Sequence, residues 1–369
     1  MLLAFSARAS LPSLFAQETE NRVQYRRIPM ETYQDKVAGG WLGQAIGVLW
    51  GQWTEGKWRT SMVPFDLEDW YKVKPVPQDV FAKVVPNHKD RYWWKSRADG
   101  WWKPRERLAE SWYNDKANWY IWTPDKMSDQ DDLYIEFMFL HSILKSGLDV
   151  TGPEMAEDWL QYLDPERTWG ANETAFQNFR KGIWPPASGH PRHNANADGI
   201  DFQIEADLFG LINPGMPRIC KEWCDKAGHM MNYGDGVYGG MAVAAMYSEA
   251  FFESDPRTLA EYSLKVIPAR SGYAQMVRDV LDAQQKYPNW QDAWEVIFQK
   301  WAMKDGKPVD PGDVKANGAF VYIGLLYGGG DLWKSMNISM RCGKDSDCNP
   351  SSVAGILGTV LGMKGIPEK

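Results

Sequence analysis

Residues 35–51 read DKVAGGWLGQAIGVLWG, an apolar run set with small residues. Gly39, Gly43 and Gly47 fall four apart, so one side of a helix built on this stretch is nearly bare. Each glycine inside a helix costs about 1 kcal/mol against alanine. A run that carries several of them makes physical sense when another helix must come very close. The run GVYGGMAVAAMYSEAFF at 236–252 has the same character, and so do 318–327 and 351–363. The run DDLYIEFMFLHSIL at 131–144 reads as a buried helix, with a helical pattern continuing over 158–163. Residues 257–266 and 274–285 read as amphipathic helices. Alternating apolar–polar strands are scarce and no tandem repeat is present. The expectation is an all-α fold, a compact helical bundle with long functional loops.

Composition narrows the class. Hydrophobic residues make up 44% and charged residues 24% of 369, enough for a sizeable core and far from the composition of a disordered chain. The formal net charge of −7 argues against a nucleic-acid backbone as the primary partner. Four cysteines in this length are no disulfide framework, and Cys220 and Cys224 share one face if their segment is helical. Twenty tryptophans are the outlier; they imply either a Trp-rich core or a cleft that stacks sugar rings or bases on indole faces. Nine of them fall in 56–126, which has no clean period and reads as an irregular insertion, a lid or binding wall. Residues 1–22 read as a leader or unstructured N-terminus. Leu14-Phe15-Ala16-Gln17 resembles the end of a secretory signal and points to export, while Arg8, Pro12 and the missing charged n-region argue for a cytoplasmic chain. No stretch elsewhere reaches the roughly 18 apolar residues of a membrane span.

Two acidic motifs carry chemistry. Gly343-Lys344-Asp345-Ser346-Asp347-Cys348-Asn349-Pro350 lies between two helical stretches. A turn there can aim Asp345 and Asp347 at one point, and two hard oxygen donors suit Mg²⁺, Mn²⁺ or Ca²⁺. Ser128-Asp129-Gln130-Asp131-Asp132 opens the helix at 133–144. Either cluster alone reads equally as helix capping. Two of them, each opening an apolar helix, are what a dinuclear site in a bundle needs. The loops at 182–217 and 233–238 supply candidate substrate contacts: Asn213 and Gly215 in one, Asp235 and Tyr238 in the other, with Asp235 equally able to be a cap. His190 and His193 have no further ligands near them and read as surface residues.

With these residues in place, residues 33–367 resemble the ADP-ribosylglycohydrolase superfamily. Gly43-Gln44-Ala45-Ile46-Gly47 through Glu55 is similar to its opening Gly-rich helix and the acidic residue after it. Gln130-Asp131-Asp132 stands at its Thr-Asp-Asp-Thr motif, 239–252 at its central helix, and Asp345-Ser346-Asp347-Cys348 at its Asp-x-Asp-Thr/Ser motif. The resemblance implies one catalytic domain over 33–369, two Mg²⁺-type ions (Mn²⁺ or Ca²⁺ as alternatives) and cleavage of a glycosidic bond at a ribose. It implies Gln130, Asp131, Asp132, Asp345, Asp347 and Cys348 as the metal set, and Glu55, Asp131 and Asp345 as the catalytic carboxylates. The departures are Leu133 for the second threonine, a register that leaves Asp129 open, and Cys348, a thiol poorly suited to Mg²⁺. Val48 replaces a frequent Asp, Asn232-Tyr233 a frequent His-containing turn, and Glu205 falls near a frequent basic position. That loss of basic character argues against a diphosphate ligand. Members of the family often continue past the position of Lys369, which points to a truncated chain or one part of a longer protein. The expected substrate is a small molecule or glycan, ADP-ribosyl or another sugar. The competing expectation is a non-catalytic glycan binder that reuses the fold.

Overall fold

The computed structural model describes residues 25–52, 54–67 and 130–368. The Trp-rich stretch from 68 to 126, the N-terminal 1–24 and Asp129 lie outside the described residues. The first helix, α1 (Met30–Gly51), packs along the last, α13 (Cys348–Leu361), more extensively than any other pair of described elements. The glycines explain how. A Cβ added to Gly39, Gly43 or Gly47 would sit 2.3, 2.1 and 2.3 Å from the carbonyl oxygens of Gly358, Ala354 and Pro350. At Gly51 the same atom would lie 1.9 Å from the Ser346 carbonyl oxygen. The two helices therefore touch backbone to backbone at Gly39, Gly43 and Gly47, and α1 ends against the acidic loop that precedes α13.

Between these ends run α2 (Asp131–Ser146), α3 (Gly152–Tyr162), α4 (Gly170–Arg180), α5 (Asp207–Leu211), α6 (Pro217–Gly228) and α7 (Asp235–Ala250). They are followed by α8 (Pro256–Ser263), α9 (Gly272–Lys286), α10 (Trp290–Ile297), α11 (Val314–Gly328) and α12 (Leu332–Arg341). The only strands among the described residues are a two-residue hairpin, Met303–Lys304 with Lys307–Pro308. Helix α7 is the axis of the bundle. It is apolar all round and nearly every residue is buried, which is the signature of a helix inside a large core. It packs on α5, α6, α8, α11 and α13. Gly240 lets Phe202 close on it, since a Cβ there would lie 2.4 Å from that ring.

The fold is all-α, as the small-residue runs imply. Cys220 and Cys224 are both buried on α6, and all four cysteines are free. Trp50, Trp58, Trp159, Trp223 and Trp294 belong to the core. No helix among the described residues is long and apolar enough to cross a membrane. The stretch 182–217, expected to be loop, contains a 3₁₀ turn at Asp201–Ile204 and the short helix α5. Tertiary burial, not periodicity, makes them: every residue from Ile200 to Leu211 is buried.

Candidate metal centre

The loop from Cys342 to Asp347 is fixed from several sides. Gly343 and Lys344 both take left-handed φ values, 82° and 60°, which turn the chain out of α12 and back into α13. Left-handed backbone is unfavourable for a lysine, and its neighbours hold it. The Lys344 amide donates to the Trp58 carbonyl at 3.0 Å. Its buried ammonium donates to the carbonyls of Val309 and Asp310 at 3.2 and 3.3 Å. The Asp345 amide donates to Asn317 Oδ1 at 3.2 Å, from α11. The Ser346 amide donates to Glu55 Oε2 at 2.7 Å, just beyond α1. Asp347 accepts from the Cys348 amide at 3.0 Å at the start of α13.

Opposite this loop stands the first turn of α2. Asp132 is buried; its Oδ1 accepts from the Leu133 amide at 3.1 Å. Its Oδ2 has no hydrogen-bond partner among the described residues. Ligand atoms of Asp131, Asp132 and Cys348 lie within 4.8 Å of one another, and so do those of Asp345, Asp347 and Cys348. The Cys348 thiol is the vertex common to both groups. It also packs against Ile200 and Ile204, on the 3₁₀ turn that brings Asp201 to the site. Asp201 Oδ1 accepts from the Asn172 amide at 3.1 Å, at the N-terminus of α4. Behind it, buried Glu205 accepts from the Asn172 carboxamide.

Crowding these carboxylates out of water raises their pKa values. Burial first, then the charge of Asp345, pushes Glu55 up to about 7. Burial pushes Asp132 to about 7 and Asp201 to about 6. Asp131, Glu205 and Asp347 are also raised well above the carboxylate range, by burial and then by their acidic neighbours. Buried like charges are costly unless protonated or matched by a cation. The Asp132 oxygen without a partner among the described residues, the two convergent ligand groups and their four carboxylates fit a pair of hard divalent cations. The thiol at the shared vertex is the one soft donor.

The expected metal residues Asp131, Asp132, Asp345, Asp347 and Cys348 are brought together, and Glu55 reaches the same loop. Gln130 is buried at the N-cap position of α2, next to them. Asp235 does not cap its own helix. It accepts from the Tyr273 amide at 3.0 Å at the start of α9 and lies 3.8 Å from the Lys315 ammonium. Tyr238 is half-buried one turn further along α7. Asn213 and Gly215 are engaged at the other end of α7. The Ser248 hydroxyl donates to the Asn213 carbonyl at 2.6 Å, and the Gly215 amide to the Ser248 carbonyl at 2.8 Å. Among the described residues, neither has a hydrogen bond to the carboxylate cluster. The sequence gives Asp201, Glu205 and Asn317 no role at the metal centre. The only signal was the acid spacing in Asp198-Gly199-Ile200-Asp201-Phe202-Gln203-Ile204-Glu205, in a stretch without a period.

The sequence profile of the ADP-ribosylglycohydrolase family matches residues 29–369. Among solved structures, the chain is similar to one described as an ADP-ribosylglycohydrolase-related protein complex. The likeness has a TM-score of 0.54 at 14% identity and covers 92% of this chain and 91% of that one. At that identity it speaks for the fold alone. No curated protein matches the chain.

Proposed function

Since the chain belongs to the ADP-ribosylglycohydrolase family, we propose that it is a divalent-metal-dependent hydrolase of a glycosidic bond, in an ADP-ribosyl or other sugar-containing substrate. The observation that carries this reading is the convergence of α1, α2 and the 343–348 loop on one cluster of buried carboxylates. Asp131, Asp132, Asp345 and Asp347, with Gln130 and Cys348, would hold two Mg²⁺-type ions, with Mn²⁺ or Ca²⁺ as alternatives. Bound there, such ions supply charge that orients sugar hydroxyls and polarises the oxygens around the anomeric carbon. The protein's own residues do the rest. Glu55, pushed to about 7, is near the best value for taking a proton from water at neutral pH and returning it. Its Oε2 is tied to the Ser346 amide, so the carboxylate is held while its other oxygen faces the Arg59 guanidinium at 4.0 Å. Asp131 and Asp345, half-buried, are assigned as the carboxylates that meet a ribose from the solvent side. Asp235 and Tyr238 are assigned to the sugar's hydroxyls. Asn213 and Gly215 keep their assignment to substrate only through the shape of their loop, since the Asn213 carboxamide nitrogen donates to the Phe209 carbonyl at 2.9 Å and the Gly215 carbonyl accepts from Arg26 at 3.1 Å.

A glycan binder without catalysis would have no use for so many buried acids, and this disfavours the alternative. The test is turnover by the purified protein, with Mg²⁺ or Mn²⁺, on ADP-ribosylated protein and on a panel of glycosides. Release of ADP-ribose or of free sugar, abolished by chelation, is expected. A protein that binds no divalent metal and turns over neither class would overturn the reading.

A further inference from the structure

Beneath the candidate centre, buried polar side chains from four helices gather inside the bundle. Glu136, one turn past Asp132 on α2, is fully buried. Its Oε2 accepts from the Leu208 amide at 2.8 Å, and its Oε1 has no partner among the described residues. Asp207, the first residue of α5, is buried beside it, and its Oδ1 has no partner among the described residues. Tyr247 of α7 turns its buried hydroxyl toward Asp207. From α1 comes Gln44, wholly buried, with neither carboxamide atom hydrogen-bonded among the described residues. Gln44 and Tyr247 meet over the bare backbone of Gly355 on α13. A Cβ there would lie 1.7 Å from the Tyr247 hydroxyl oxygen and 2.8 Å from Gln44 Cγ.

Buried polar atoms in native proteins are almost always paired. Here Glu136 Oε1, Asp207 Oδ1 and the Gln44 carboxamide, without partners among the described residues, come from three elements, and the bare backbone of Gly355 admits the Tyr247 hydroxyl beside Gln44. The set comprises two carboxylate oxygens, a carboxamide oxygen and a phenol oxygen. That is the donor chemistry of a hard cation, with no imidazole or thiol among them. We propose that Glu136, Asp207, Gln44 and Tyr247 form an inner site for a hard divalent cation of the Mg²⁺, Mn²⁺ or Ca²⁺ class, distinct from the outer pair. Asp132 stands between the two sites, since Glu136 and Asp207 both feel its charge. An inner cation balances the two interior carboxylates and leaves Asp132 free to serve the outer centre. Its role is structural: it fixes α1, α2, α5 and α7 at the floor of the site.

The probe is Mn²⁺ on the whole chain, read by anomalous diffraction at the manganese edge and by bound manganese per chain. An anomalous peak among Gln44, Glu136, Asp207 and Tyr247, in addition to peaks at the outer cluster, is expected. Glu136→Gln should lose the inner peak and one manganese per chain while keeping the outer ones. Tyr247→Phe, which removes a single oxygen, should lower inner occupancy and provides the check if the first variant folds poorly. Outer peaks with none among these four side chains in the wild-type chain would overturn the proposal, as would a proton shared between Glu136 and Asp207 with no metal there. An inner peak with an empty outer cluster would uphold it and sink the proposed function instead.

Discussion

Asp345 and Asp347 divide two tasks over a two-residue step. The amide of Asp345 is anchored to Asn317, and its side chain is half-buried at the mouth of the site. Asp347 is deeper, caps α13 and faces Glu55. Asp345→Ala or Asp347→Ala should each abolish turnover with the fold retained, checked by activity beside circular dichroism. Asp347→Ala should also lower stability by about 1 kcal/mol for the lost cap. Retained turnover in either variant would remove the metal assignment. Glu55→Gln should keep metal binding but cut the rate by about 10²–10⁴-fold, the usual worth of a general acid–base group. A variant that instead loses its metal would recast Glu55 as a ligand. The Asp345/Asp347 pair was legible because two carboxylates, a thiol and flanking helices lie in one short run. Asp201 and Glu205 were not. They sit in an aperiodic segment that tertiary contacts bring to the centre, among them the packing of Ile200 and Ile204 against Cys348.

Among the elements, the pairing of α1 with α13 sets the geometry of the site. The glycine spacing read from 35–51 announced a close helix contact, and the ladder from Gly39 to Gly51 fulfils it. The identity of the partner was not legible, because small-residue runs at 236–252, 318–327 and 351–363 were equally able to supply it. Gly43→Ala would put a methyl group 2.1 Å from the Ala354 carbonyl oxygen. The helices must part, at a cost of about 1–3 kcal/mol for overpacking, and Glu55 should be drawn away from Ser346. The expected result is a lower denaturation midpoint together with weaker metal binding. Leu42→Ala, on the partly exposed side of the same helix, should be near neutral. Equal effects from the two would show that the close approach is not what matters. The long loop expected at 182–217 illustrates the opposite limit. Its buried turns depend on surroundings supplied by α2, α4 and α7, and no local pattern records them.

For the molecule as a whole, the buried acids couple stability to pH and metal. Glu55 and Asp132 have ordinary values of 4.5 and 3.8, raised in the folded chain to about 7. Between those limits the folded state binds more protons than the unfolded one, so the stability of the metal-free protein falls as pH rises from about 4 to about 7. In EDTA the melting temperature should therefore drop from pH 5 to pH 8. Added Mg²⁺ or Mn²⁺ should raise it, and most at the higher pH, because cations displace those protons and bind only the folded form. Melting curves across pH, with and without metal, decide this; a flat profile in EDTA or no metal effect would count against an ordered centre. The α1–α13 contact also bears on how the protein is made. Glu55 and Ser346 are hydrogen-bonded across 291 positions of chain. At about 5–20 residues per second, a ribosome releases α1 roughly 15–60 s before the segment that must cover its glycine-lined flank. Until then that flank is a sticky surface on a nascent polypeptide, and a chaperone that shields apolar helices would find its natural client in the first half of this chain.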